Sequence, residues 1–530
     1  MNQYLLTANY IVLSTLLIAV LNLLTPFSSR KDSKIRSFLL IIVSVFFLIN
    51  VLIIDGLFLK GIRASISLFV FGNYSIALNL EALGLIFLNL LGVLWICSLM
   101  YTTKYLKLHN IEHSSRFLFF MNLSVLSGIF ISLSSNLFTM FIFYEILTLS
   151  TAPLIGHKWE DKERKGLYRY LKILMISSMA LFLPAIMIIY VKIGHGNFIY
   201  QGFIQDSFSK NQTIILLIMF IFGISKAALY PLHQWLPAAM VATYPVSALL
   251  HAVVVVKAGL FCIYKILVCV FGLKYLHSIF GDHNYLIFLP IFTIIYSSIK
   301  ALRVDNIKTI LAYSTINQLS IALLSSFMFT PKAIAAAILH MVSHSFSKIC
   351  LFYAAGIYYS LKSTARISDL VGISRQKPKT SFIFLIASLS LIGLPPFGGF
   401  ISKFYIMLAA AEQDNILIMI VVALSSILTA LYMIKILIFI YRPDVLNRLS
   451  VLPLYDRQWF KNNRLLSKYN EDREPEVGQS HIPIAKLTLG RGIESKLPLL
   501  MLISLSICLS GVIFFFLVHR FINMFLVYIG

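Results

Sequence analysis

The sequence predicts an all-α polytopic membrane protein of about fourteen transmembrane helices, and three observations carry that prediction. Of its 530 residues, 59% are hydrophobic and 12% charged, too little polar surface for a water-soluble domain. The apolar residues gather in runs near the roughly twenty needed to cross a bilayer as a helix. Basic residues crowd the odd-numbered loops and thin out in the even ones, as the positive-inside rule requires. The runs are long and do not alternate polar with apolar residues, which excludes a barrel.

In chain order the first spans fall near 4–25, 37–54 and 79–101. The first is too long for a signal-peptide core and has no basic leader, so a permanent helix is expected. Arg30, Lys31, Lys34 and Arg36 follow it, whereas the next loop holds only Lys60 and Arg63. Glu81 opens the third span and reads as an interfacial charge at a helix start. Spans near 116–134, 136–155 and 168–190 come next. Lys104, Lys107 and Arg116 precede them, and Lys158, Lys162, Arg164, Lys165 and Arg169 lie between the last two. Lys192 and Lys210 separate these from spans near 213–231 and 244–271, and Lys274 from those near 285–302 and 306–327. Lys300 and Arg303 lie between the latter pair, then Lys332 precedes a span near 333–360. Lys362, Arg366, Arg375, Lys377 and Lys379 lead to spans near 382–409 and 415–441, and the last lies near 498–528. This alternation puts both termini outside, and places Lys308 and Lys435 near cytoplasmic ends, where snorkelling is expected. The chain divides into N-terminal helices (1–110), two halves of the membrane region (111–275 and 276–441), a cytoplasmic polar loop (442–497) and a C-terminal helix (498–530). Pro475, Gly478, Pro483 and Gly490 break that loop against one long helix.

The net charge of +23 is therefore topology and no sign of a nucleic-acid partner. Cys97, Cys262, Cys269, Cys350 and Cys508 lie in apolar runs without metal spacing and read as core packing. There is no Gly-rich nucleotide loop and no cysteine cluster for iron–sulfur chemistry. No catalytic residue, metal site or cofactor is expected in the chain itself.

Charges buried in these runs are the candidate site. Each costs about 2.5–3.5 kcal/mol at the bilayer centre, even on lenient scales. Glu145 is the only charge of its span, and Lys226 is its candidate partner, as a switchable site or as a static pair that fixes packing. His251 and Lys257 share a span; six residues at 100° apiece turn their side chains apart. His340, His344 and Lys348, at intervals of four, stack on one helix face. They suit a proton-guiding stripe, unless Lys348 snorkels and the histidines merely satisfy hydroxyls. Lys226 and Lys403 each adjoin helix breakers. Pro231 and Pro237 follow Lys226, and Pro395, Pro396, Gly398 and Gly399 precede Lys403. Such interruptions in two halves of a transporter point to ion sites near the midplane, although Pro and Gly also kink membrane helices for packing alone.

These motifs together resemble the proton-conducting antiporter family. They are Ile224-Ser-Lys226-Ala-Ala-Leu-Tyr-Pro231-Leu-His233-Gln-Trp235-Leu-Pro237, Pro245-Val-Ser-Ala-Leu-Leu-His251, Val256-Lys257-Ala-Gly259, Leu311-Ala-Tyr-Ser-Thr-Ile-Asn-Gln318 and Gly393-Leu-Pro-Pro396-Phe-Gly-Gly-Phe-Ile-Ser-Lys403. The family holds the D subunit of Mrp-type cation/proton antiporters and the antiporter-like subunits of respiratory complex I. The likeness runs from about the third span to the thirteenth. It implies two inverted five-helix repeats, each with a broken helix, at 111–275 and 276–441. It implies roles too: Glu145 and Lys226 as the coupled pair, Lys257 as central relay, His251, His340 and His344 hydrating the axis, and Lys403 as terminal exchanger. Two departures stand out: Ala238 where an acidic residue is usual, and Thr243-Tyr244-Pro245 for Pro-Thr-Pro. The first puts a loop contact or a cation-access role in doubt.

The expected function is a proton-translocating subunit of a multisubunit monovalent cation/proton antiporter of Mrp D type in a bacterial inner membrane. Its partners would be other membrane subunits, protons, Na+ or K+, and the lipid bilayer. The alternative is a proton-pumping membrane-arm subunit of complex I or a related redox-driven complex. Its NADH or quinone chemistry would then belong to partner subunits. A non-transporting scaffold is the second alternative, and it gives no reason to keep so many costly charges.

Overall fold

Inside a bilayer every backbone N–H and C=O must be paired within the protein, and the chain meets this demand with helices. The structure, a computed structural model, describes residues 2–27, 33–72, 74–205, 207–281, 284–442 and 499–513. The polar loop expected at 442–497 lies outside the described residues except for Arg442, as does the last span beyond Ile513.

The helices that matter below are α1 (Asn2–Leu24), α2 (Ser33–Leu59), α3 (Ala82–Leu108), α4 (Ser114–Leu133), α5 (Leu137–Ile155), α6 (Asp161–Ile193), α7 (Lys210–Gly223) and α8 (Tyr244–Phe271). They continue as α9 (Leu273–Phe280), α10 (Tyr285–Arg303), α11 (Ile307–Ser326), α12 (Pro331–Lys362), α13 (Pro378–Ile392), α14 (Gly398–Ala411), α15 (Ile416–Tyr441) and α16 (Leu499–Ile513). Eleven described helices are long and apolar enough to cross a membrane. Two further expected spans are interrupted ones, at α7 and at α13–α14, and α16 begins the last. Each of the fourteen expected spans thus meets helix.

Burial sorts the helices into layers. The most apolar stretch of α8 is wholly buried and that of α12 is 94% buried, against 28% for α2 and 39% for α15. The outer helices turn apolar stripes to the surroundings, as α15 does with Ile416, Ile420, Ile427, Leu431, Ile434 and Ile438. These recur at steps of three, four and seven, one face of a helix. Apolar side chains suit a lipid surface, so what distinguishes the central helices is their polar content: α8 holds His251, Lys257 and Lys265, and α12 holds His340, His344 and Lys348.

A two-stranded antiparallel hairpin, unforeseen from the sequence, precedes α3. Strand β1 (Ser65–Phe71) pairs with β2 (Tyr74–Asn79) from Ser65↔Asn79 to Phe71↔Tyr74. Its β-branched and aromatic residues favour strand, and Gly72 at φ 58° supplies the left-handed turn residue. The hairpin is tied down at one end of the bundle, because Leu78 bridges Ser134 and Ser135 N donates to Ala77 O at 3.0 Å.

One pattern of local structure occurs twice. Asn136 caps α5 by accepting from Thr139 N at 2.7 Å, and Asn306 caps α11 by accepting from Lys308 N and Thr309 N at 3.0 and 3.2 Å. Each asparagine also bridges chain just past the following helix, Asn136 with Asn197 and Asn306 with Arg366. An interrupted helix follows in both halves.

Candidate functional site

The first interruption begins where α7 stops at Gly223. A 3-10 turn, Ser225–Ala227, carries Lys226, and Ala228 then turns left-handed at φ 58°. A second 3-10 turn, Leu232–Gln234, follows Pro231, and Pro237 lies within the short helix Trp235–Ala238. The carbonyl of Ser225 accepts both from Ala228 N and from Trp235 Nε1, each at 2.9 Å. Against this break lies Gly259 of α8. A Cβ there would stand 2.6 Å from both Ala227 N and Lys226 C, so the close approach of α8 requires glycine.

At the second interruption α13 ends on Gly393, at φ 94°, and α14 starts at Gly398 after Pro395 and Pro396. A Cβ on Gly399 would stand 1.7 Å from Ser390 O. Gly399 N donates to Ser390 Oγ at 3.3 Å, which pairs one orphan of the new helix start.

All eight charged or histidine candidates are buried. Glu145, on α5, makes no ion pair with Lys226 within 4.0 Å, and neither carboxylate oxygen has a hydrogen-bond partner. The lysine instead reaches the next turns of the same helix. Its Nζ donates to Tyr144 O at 2.8 Å and Thr148 Oγ1 at 2.6 Å, and sits 3.1 Å from the centre of the Tyr144 ring. The direct partnership expected from sequence is therefore one of adjacency, through residue 144.

In the centre, Lys257 Nζ hydrogen-bonds His344 Nδ1. His340 Nδ1 shares a hydrogen bond with Ser402 Oγ at 3.0 Å, and its ring centroid lies 6.5 Å from that of His344. His340 Nε2, His344 Nε2 and both nitrogens of His251 have no hydrogen-bond partner. His251 lies 4.8 Å from the Phe352 ring on α12, so it and Lys257 meet the same neighbouring helix. The sequence reading turned them apart on an ideal 100° helix. A π-type turn over Leu249–Val253 replaces that geometry. Lys348 does not snorkel: it is fully buried, donating to Leu311 O at 2.9 Å and to Ser314 Oγ. Lys403 donates to Leu391 O at 3.1 Å, Ile392 O at 2.9 Å and Ser426 Oγ at 3.1 Å.

Three expectations change. Glu81 is not an interfacial charge but 5% exposed, and its Oε2 lies 3.1 Å from Lys265 Nζ. Lys265, which the sequence reading passed over, was visible as a charge within the run that holds Lys257. Lys308 turns inward to Ala242 O above the Tyr244 ring, and Lys435 bonds Leu302 O at 3.1 Å and Val304 O at 2.9 Å. A lysine on the last carbonyls of α10 caps that helix and meets the negative end of its dipole. Packed helix ends thus hold both side chains, Lys308 buried and Lys435 half-buried.

The site is a set of cations and imidazoles on α8, α12 and the two breaks, with one acid at its edge. Protonatable groups with unpaired ring nitrogens in a buried interior can pass protons, given water between them.

Residues 134–429 match the family described as NADH:quinone oxidoreductase/Mrp antiporter, transmembrane. A putative antiporter subunit, mnhA2, of Staphylococcus aureus (strain MRSA252) is 29% identical over 465 residues, 80% of this chain and 56% of that protein. The Staphylococcus haemolyticus (strain JCSC1435) protein of that name is 31% identical over 67% of this chain and 47% of its own length. The chain spans about half the length of these curated relatives. Among solved structures, the Mrp complex from Dietzia sp. DQ12-45-1b aligns with TM-score 0.71 at 21% identity, over 84% of this chain and 81% of the other. The membrane-bound sulfane sulfur reductase, an archaeal respiratory membrane complex, aligns with TM-score 0.70 at 22% identity, over 82% and 88%.

Proposed function

The chain belongs to the NADH:quinone oxidoreductase/Mrp antiporter transmembrane family, and from that premise we propose that it is a proton-translocating, antiporter-like subunit of a multisubunit monovalent cation/proton antiporter, of Mrp D type. The observation that carries the reading is the buried Lys257–His344 hydrogen bond, flanked by His340, His251 and Lys348 without any acid among them. Cations at such cost in an interior serve transport better than packing. Protons pass along Glu145, Lys226, Lys257, the histidines, Lys348 and Lys403. Each charge biases the next through a low-dielectric interior, and the Tyr144 carbonyl and Thr148 hydroxyl hold Lys226 beside the acid. The curated relatives bear the name of another subunit, mnhA2; the D assignment rests on the Lys257 and Lys403 motifs. The partners are other membrane subunits, with Na+ or K+ as the exchanged ion. The protein is multi-pass in a bacterial inner membrane, with both termini outside on the loop-charge rule.

The complex carrying Lys226→Ala or Glu145→Ala, purified and reconstituted in vesicles, is expected to assemble and to lose cation-driven proton movement. Full activity in either variant sinks the pathway. Co-purification separates the second reading, a redox-driven complex: flavin and iron–sulfur subunits favour it, and small antiporter subunits favour the first.

A further inference from the structure

The Glu81–Lys265 pair stands apart from the line of charges just described. Both side chains are buried, 3.1 Å apart, and Lys265 also donates to Ser134 O. Lys265 lies on α8, slightly more than two turns beyond Lys257. Gly259, between Lys257 and Lys265 on α8, packs against the backbone of Lys226, so the pair adjoins the first break. On its other side is the hairpin. Ser134 bridges Leu78, and Asn79 Nδ2 reaches Glu81 Oε1 at 3.5 Å. The loop that forms the hairpin carries only Lys60 and Arg63, which puts this end of the bundle outside.

The second half shows what a plain structural lysine needs here. Lys435 stands at the same distance along the chain from Asn306 as Lys265 does from Asn136. Both lysines bond the carbonyl two residues before the capping asparagine, Ser134 O in one case and Val304 O in the other. Lys435 caps with carbonyls alone. Among the described residues no acid lies within 4.0 Å of it. The two differ in burial, Lys265 being fully buried and Lys435 half-buried, and of the two only Lys265 meets an acid, Glu81, which caps the start of α3 before either asparagine-capped half begins.

We propose that Glu81 and Lys265 form the outward gate of the proton route, an inference that rests on the transport reading above. The Lys265 ammonium gives its proton to the Glu81 carboxylate, leaving a neutral amine and a carboxylic acid. The acid releases that proton on the hairpin side, and the amine takes the next from the lysine line. No other reactant is needed.

The test uses the whole complex in vesicles, with proton movement followed by a pH-sensitive dye after a sodium or potassium pulse. The double variant Glu81→Gln/Lys265→Met removes both charges together, so neither is left buried and unpaired. It is expected to assemble as the parent does and to move protons about 100-fold more slowly or worse, the scale of a lost proton-transfer group. Lys435→Met is expected to keep the parent rate. A double variant at the parent rate overturns the gate and leaves a packing pin. If the double variant does not assemble, Glu81→Asp replaces it, keeping both charges at a longer reach; slower transport supports the gate and the parent rate overturns it. Lys226→Ala in the same assay keeps the two ideas apart, since its parent-like activity would refute the route itself, whatever the pair does.

Discussion

The two helix breaks look alike in sequence and differ in what holds their lysines. Lys226 leans on a neighbouring helix, through Tyr144 O and Thr148, beside an acid with no hydrogen-bond partner. Lys403 turns back mainly on the helix it interrupts, binding Leu391 O and Ile392 O at the end of α13, with one further bond to Ser426 Oγ on α15. Counted from the capping asparagines, the place of Glu145 in the first half is taken by Thr315 in the second. Carbonyls at a helix end are fixed dipoles that favour a cation whatever its surroundings do. Contacts to another helix beside an ionisable group depend on that group's charge and on the spacing of the helices.

The strongest way to break this comparison is at the breaks themselves. Lys226→Ala is expected to cut transport about 100-fold or more, the loss of an essential proton-transfer group, with assembly intact. Equal transport by the variant and the parent in vesicles removes the first break from the route. Next in size, Glu145→Gln is expected to slow transport by about 100-fold, at the lower edge of such losses, whereas Thr315→Val leaves it unchanged. Equal effects at these two matched positions would erase the asymmetry.

Stability sharpens the comparison at the matched lysines. Lys265→Met strands Glu81 in the interior and is expected to cost about 3–5 kcal/mol. Lys435→Met strands no charge and removes only a cap, at about 1 kcal/mol. Thermal unfolding of the purified protein in one detergent measures both, and costs of the same size would show that Glu81 does not need its lysine. Smallest of all, Asn136→Ala and Asn306→Ala are each expected to cost about 1 kcal/mol, because each removes an N-cap acceptor. Beyond that shared cost Asn136→Ala also loses Nδ2 donation to Ser75 O at 3.0 Å and Ser75 Oγ at 3.1 Å, so it should be the larger of the two, and equal losses would show that the tie to the hairpin adds nothing.

Much of this was readable along the chain. Each apolar run became helix because a run of that length and composition has one way to pair its backbone away from water. Glu145, Lys257 and Lys403 stood out as charges where none is cheap. The hairpin was missed since Ile66, Phe69 and Val70 are as apolar as a span and too few to show a period. Lys265 was missed because one charge in a run draws attention from a second, and Glu81 because a charge at a helix start is ordinarily wet.

Along the chain alone the apolar spans, the two helix breaks and the charges inside spans such as Glu145, Lys257 and Lys403 can be read, since each depends on neighbouring residues, but not the burial of Glu81 or Lys308, which other helices supply. Only the tertiary structure decided who meets whom: Lys226 with the Tyr144 carbonyl rather than the Glu145 carboxylate, Lys257 with His344, and Lys265 with Glu81. Those choices depend on how helices distant in sequence pack: Gly259 lets α8 approach the first break, and the π-type turn Leu249–Val253 shifts the facing of the side chains beyond it.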